Sequence, residues 1–287
     1  MRILLSGVLL AGLAAAQDLP ISGIAHAAFL VSDIEKAAQF YTGLLGYQEA
    51  FRLKDDQGNL RYVFLKINED QYLEIFPGLK PEQDRRLSHL ALATPDIEKL
   101  HTLLTERGLA PGKIQPGRDG NVNFSVKDPD GMRVEFVQYQ PGSGVRQTRG
   151  KLLGEGRISD RLRHVGITVA NLEAALAFYR DKLGFRETWR GGPSDSELRW
   201  VNMQMPGGDY VELMLHTGAP TRNQLGSMLH ICLEVPDIQA AYKKLLARGL
   251  PAEDRFKPRV GRNQRWLLNL FDPDGSRTEL MEPGLAK

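Results

Sequence analysis

One nine-residue pattern occurs four times in this chain, and any fold it adopts must place four equivalent copies. The copies are Ala25–Asp33 (AHAAFLVSD), Ser88–Asp96 (SHLALATPD), Arg163–Asn171 (RHVGITVAN) and Leu229–Asp237 (LHICLEVPD). Read at the two-residue period of a strand, one face carries the histidine and then a small residue: Ala28, Ala91, Gly166 or Cys232. The other face is apolar, as in Val165, Ile167 and Val169. Such a strand is packed on one side and open on the other, as the wall of a pocket must be. The chain has six histidines, and four occupy this one position. A single strand histidine is most simply a satisfied structural residue. Fourfold recurrence favours a functional role.

Each copy opens a module that repeats. After the first, Ser32-x-x-Glu35 reads as a capping box, with Ile34, Ala37, Phe40, Tyr41 and Leu44 at helical spacing and Gly46 as the stop. Strand-like runs follow near 47–53, 60–66 and 71–76, giving β-α-β-β-β. Asp96, Asn171 and Asp237 cap the equivalent helices, which end at Gly108, Gly184 and Gly249. Modules two and four share an Asp-Pro-Asp-Gly turn (128–131 and 272–275), while modules one and three share Phe-Tyr followed by Leu-Gly-aromatic. The chain is therefore a pair of modules, itself duplicated. The expected organisation is a signal segment at 1–16, a first domain at 20–142, a linker at 143–158 and a second domain at 159–284.

Every module also ends in a strand with a glutamate among apolar neighbours: Glu74, Glu135, Glu212 and Glu279. They follow their histidines by 48, 46, 48 and 49 residues. An ionised carboxylate there is costly to bury without a partner. Four of them, each tied to a recurring histidine, read as metal ligands: His26, Glu74, His89, Glu135, His164, Glu212, His230 and Glu279. Two His and two Glu per site form a mixed N,O set suited to Zn, Ni, Fe or Mn.

Composition excludes other classes. A formal charge of +2 with scattered Lys and Arg gives no basic stripe for nucleic acid. Met1 to Ala16 has one basic residue (Arg2), an apolar run from Ile3 to Leu13 and three alanines before Gln17, which reads as a cleaved secretory signal. The run is too short to span a bilayer comfortably. A periplasmic or secreted protein without a membrane anchor is expected, as a monomer or homodimer acting on a small molecule. Cys232 is the only cysteine, so no internal disulfide can form.

The β-α-β-β-β modules with strand-borne His and Glu resemble the vicinal oxygen chelate superfamily, which includes glyoxalase I, extradiol dioxygenases and bleomycin or fosfomycin resistance proteins. The resemblance spans Gly23 to Gly284. It implies an α+β fold of four βαβββ modules paired into two cup-shaped mixed sheets, each cup holding a divalent metal. It further implies a glyoxalase-I-like isomerase or lyase, in which the metal stabilises an enediolate and a ligand glutamate, Glu135 or Glu279, shuttles the proton. An Fe(II) dioxygenase and a non-catalytic drug- or toxin-binding protein are the alternatives. Extradiol dioxygenases carry a further His and Tyr before the last Asp-Pro-x-Gly turn, and Arg265–Phe271 holds neither. Arg52, Arg61, Arg190 and Arg199, at matching repeat positions, are candidate anion binders or outward-facing charges. His101 and His216 read as solvated. Spacing leaves the pairing of ligands open. The ligand order, similar to that of glyoxalase I, points to sites shared between halves: His26 and Glu74 with His230 and Glu279, and His164 and Glu212 with His89 and Glu135.

Overall fold

The computed structural model describes residues 18–286, so the expected signal segment lies outside the described residues. The first half holds strands β1 (Gly23–Val31), β2 (Gln48–Lys54), β3 (Leu60–Lys66), β4 (Tyr72–Pro77), β5 (Leu87–Ala93), β6 (Gln115–Pro116), β7 (Val122–Lys127) and β8 (Arg133–Gln138). The second half repeats them as β9 (Leu162–Val169), β10 (Arg186–Gly191), β11 (Trp200–Gln204), β12 (Tyr210–Leu215), β13 (His230–Glu234), β14 (Arg259–Val260), β15 (Trp266–Phe271) and β16 (Arg277–Met281). Each half is one eight-stranded mixed sheet, in the orders β2-β3-β4-β1-β5-β8-β7-β6 and β10-β11-β12-β9-β13-β16-β15-β14. The α+β fold of four βαβββ modules in two curled sheets is what the chain adopts.

The four histidine strands lie at the sheet centres. β1 runs antiparallel to β5 and β9 to β13, while the glutamate strand of each module lies parallel beside its own histidine strand. Alternation then sorts the residues. Ala27, Phe29, Leu90, Leu92, Val165, Ile167, Ile231 and Leu233 join one apolar core. The His and Glu residues take the opposite face.

The helices cover the core face. α1 (Ile34–Gln39) runs into a π-helical turn through Leu44, and α3 (Leu172–Leu176) into another through Lys182. α2 (Ile97–Glu106) and α4 (Ile238–Ala247) are capped by Asp96 and Asp237 as expected. The first cap differs from the expectation. Asp33, not Ser32, is the cap and accepts the N–H groups of Glu35 and Lys36, while Ser32 N–H donates to Asp274 at 2.9 Å. A helix at Arg222–Met228 was not foreseen, although Thr221 and Gln224 form a capping box at its start. Among the described residues no helix is long and apolar enough to cross a membrane.

The Asp-Pro-Asp-Gly turns latch the halves together. Asp128 accepts the N–H groups of Asp130 and Met132 within its turn, and also the hydroxyl of Tyr179 from the other half at 3.0 Å. Asp130 accepts Ala170 N–H, as Asp274 accepts that of Ser32. At the centre, Gln71 accepts Leu162 N–H at 2.8 Å, and Asp209 accepts Ile24 N–H at 3.2 Å and pairs with Arg161 at 2.9 Å.

The segment read as a linker is held in place. Gly144–Gln147 forms a short helix and Val145 is buried. The fully buried Lys66 ammonium donates to Thr148 O at 2.6 Å and Lys151 O at 3.0 Å and pairs with Glu69 at 2.8 Å. Lys66→Met leaves those acceptors unpaired, and hydrogen bonds to a charged group contribute about 1.5–3 kcal/mol each. A fall of about 2–3 kcal/mol in urea-unfolding stability is expected. An unchanged urea midpoint would contradict this role.

Candidate metal centres

The two sheets gather the eight candidate residues into two quartets. Strand register explains how. In the first sheet Ala28 lies between Glu74 and His89, and in the adjacent row Ala91 lies between His26 and Glu135. Small side chains thus form the floor, and the four larger ones lean over it. The Nε2 atoms of His26 and His89 are 3.1 Å apart. Glu74 reaches them at 3.4 and 3.6 Å, and Glu135 at 3.7 and 3.9 Å. Ligand atoms about 2.1 Å from one ion lie about 3 Å apart in cis and about 4 Å apart in trans. His26, His89 and Glu135 bring ligand atoms within 4.8 Å of one another, and Glu74 lies within 3.6 Å of both histidines, a set that can close on a single divalent ion.

The second sheet repeats the arrangement. His164 and His230 face each other at 3.1 Å between Nε2 atoms, and Glu212 reaches them at 3.8 and 3.4 Å. Glu279 lies 3.9 Å from His164 and groups with it and Cys232, while Glu212 groups with the two histidines. His230 Nδ1 donates to Met228 O at 2.9 Å, so Nε2 carries the ring's lone pair, which faces Arg277 at 2.7 Å. Its ring lies over Gly166, where an added Cβ would collide with it and stand 2.8 Å from Met228 O. Gly166→Ala should therefore push His230 aside and weaken metal binding by this half about 10–100-fold, the usual cost of disturbing a ligand's support. Titration against a chromophoric chelator reads it, and unchanged affinity would refute the floor argument.

The structure overturns the expected sharing between halves. His26 and Glu74 meet His89 and Glu135, not His230 and Glu279, while His164 and Glu212 meet His230 and Glu279. The cause is the central β1–β5 and β9–β13 pairing, which closes each cup within one sheet.

Electrostatics favour ligation. Burial, helped by Arg133, pushes His26 down to about 3, and burial holds His89 well below its ordinary value. Burial, helped by Arg277, likewise lowers His230 to about 3. These imidazoles are neutral at neutral pH, with lone pairs available. Burial and then the neighbouring Glu135 raise Glu74 well above the carboxylate range. Burial raises Glu135 to about 7 against the opposing pull of Arg133. Four buried acids and bases converging on one point call for a cation.

Two cup residues escaped the sequence reading. Arg133 pairs with Glu135, and Arg277 lies 2.7 Å from His230 Nε2 and 3.7 Å from Glu279. Each stands two residues before its glutamate, so strand periodicity was the signal that could have found them. The arginines considered instead pair with carboxylates away from the quartets: Arg52 with Glu35 and Glu49, Arg61 with Asp55, Arg190 with Glu187, and Arg199 with Glu197. His101 is half-buried against Phe124 and donates to Gly112 O, and His216 donates to Gly218 O. Neither is simply solvated, and neither joins a quartet.

The first cup opens into a cavity of about 280 Å³ lined by Tyr62, Phe64, Phe76 and Arg133, and the second into about 440 Å³ lined by Trp189, Trp200, Arg262 and Arg277. A larger cleft of about 740 Å³ lies between the halves and holds none of the eight residues.

The family model described as the Glyoxalase/Bleomycin resistance protein/Dioxygenase superfamily matches residues 23–136 and 161–280. A lactoylglutathione lyase of Schizosaccharomyces pombe is 22% identical, over 94% of this chain and 99% of that one. An ethylmalonyl-CoA/methylmalonyl-CoA epimerase of Cereibacter sphaeroides is 35% identical, over 40% of this chain and 90% of its own. In fold, the 2,3-dioxygenase LapB of Pseudomonas sp. KL28 superposes with a TM-score of 0.72 over 93% of this chain and 94% of its own, at 17% identity.

Proposed function

Because the chain belongs to the Glyoxalase/Bleomycin resistance protein/Dioxygenase superfamily, we propose that it is a metal-dependent isomerase, lyase or epimerase that moves a proton next to a carbonyl of a small substrate with two neighbouring oxygens. The observation that carries this reading is the second glutamate of each quartet. Two His and two Glu leave two positions of an octahedron for substrate, and Glu135, buried beside Arg133, suits a ligand that leaves the ion to take and return a proton. When bound, the divalent ion would polarise the substrate oxygens as a Lewis acid.

The remaining work falls to the chain. His26, His89, Glu74 and Glu135 would hold the ion, Glu135 would leave it to accept and return the proton, and Glu279 is its repeat counterpart. Arg133 restrains Glu135 and offers a cation to an anionic substrate group. Tyr62, Phe64 and Phe76 give the cavity apolar walls that limit water. The export signal at 1–16 forms part of the proposal and places this activity in the periplasm or outside the cell. An intact mass beginning at Met1 for secreted material would refute that part.

One observation favours Fe(II) dioxygenase chemistry as a second reading: each cup closes within its own half, as in the extradiol arrangement. Metal analysis of protein purified without chelator, with small α-hydroxycarbonyls and 2-oxoaldehyde adducts incubated in deuterated water, separates the two. Solvent deuterium entering the carbon beside the carbonyl supports proton transfer. Iron content with oxygen uptake on catechols supports the second reading instead, and protein without metal or either activity would overturn both.

A further inference from the structure

The two cups differ at both floor positions, Ala28 standing where the second has Gly166 and Ala91 where it has Cys232. In the first, the residue between His26 and Glu135 is Ala91. In the second, the residue between His164 and Glu279 is Cys232, the chain's only cysteine and fully buried. Its Sγ, a nitrogen of His164 and a carboxylate oxygen of Glu279 lie within 4.8 Å of one another. A further difference points the same way. Asn269 stands in register with Glu279 and Asn202 with Glu212; both are more than nine-tenths buried, and the Oδ1 of each lacks a partner. The first cup has Ser125 and Phe64 at those places. The second cup therefore adds a soft sulfur and unpartnered amide oxygens to its quartet.

We propose that the two cups hold unlike metal centres: Cys232 ligates the ion of the second cup, which selects a thiophilic metal such as zinc, while the first keeps only nitrogen and oxygen ligands. On binding, the thiol S–H bond breaks, its proton passes to solvent and a sulfur–metal bond forms. Soft thiolate ligands favour zinc over harder cations, whereas carboxylate and imidazole alone accept manganese, iron or nickel. The sulfur shares its group with His164 and Glu279, while His230 and Glu212 group with His164 separately. This inference rests on the metal binding proposed above.

Cobalt(II) loading of the full-length, metal-stripped chain tests it, read by absorbance. The expected result is two ions bound and one thiolate-to-cobalt charge-transfer band in the near ultraviolet. That band should persist in His26→Ala/His89→Ala and vanish in Cys232→Ser and in His164→Ala/His230→Ala. Two ions bound by the wild-type chain with no such band would overturn this inference alone. Failure to bind cobalt at all would overturn it together with the reading on which it rests. The wild-type spectrum decides even where a variant folds poorly.

Discussion

In the His26→Ala/His89→Ala double variant, bound metal is expected to fall by half, whereas His26→Ala/His230→Ala should remove nearly all of it. The Nε2 atoms of His26 and His89 are 3.1 Å apart over one floor, so the first variant empties a single quartet. His164 and His230 stand together in the other sheet, so the second variant strikes both quartets. Sites shared between halves would give the opposite result, because His26 and His230 would then belong to one site. Each deletion removes an imidazole directly, and loss of a mere supporting contact already costs about 10–100-fold in affinity. Elemental analysis after dialysis against a weak chelator reads the ratio. Half the metal remaining in His26→Ala/His230→Ala would overturn the closed-cup arrangement.

The second large effect concerns Glu135. Glu135→Gln keeps the shape and one oxygen donor but removes the group that can carry a proton. Positioned acid–base groups contribute about 10²–10⁴-fold, so kcat for solvent deuterium exchange should fall by roughly that factor. Glu279→Gln serves as the comparison. Glu279→Gln lowers the metal content of that half, and exchange kept within about threefold would mean that the first cup alone turns over. Equal losses in the two variants would mean that both cups turn over. A Glu135→Gln variant with unaltered exchange would exclude Glu135 as the carrier.

The sequence by itself determined the modules, their nested duplication and the eight residues that line the cups. It could do so because a strand has a side-chain period of two: once His26 and Glu74 are on strands, their common face follows from their apolar neighbours. Helix starts were legible for the same local reason, since a capping carboxylate or amide acts within three residues. The Ser32 assignment failed by one position because Asp33 competes for the same N–H groups.

Which histidine meets which was beyond any period. His26 and His89 are joined by the antiparallel register of β1 on β5, a pairing between strands about sixty residues apart, and equally spaced repeats satisfy several such pairings. The same holds for the roles of the turns: Asp128-Pro129-Asp130-Gly131 looks like a bare turn until Tyr179 and Ala170 of the other half dock on it. Arg133 and Arg277 could be placed on the cup face by counting, but only the folded sheet brings them onto the ligands. Cys232 was visible from the start as one of four small floor residues. Only tertiary structure sets its sulfur beside His164 and Glu279, because the residues flanking it across the floor come from two other strands.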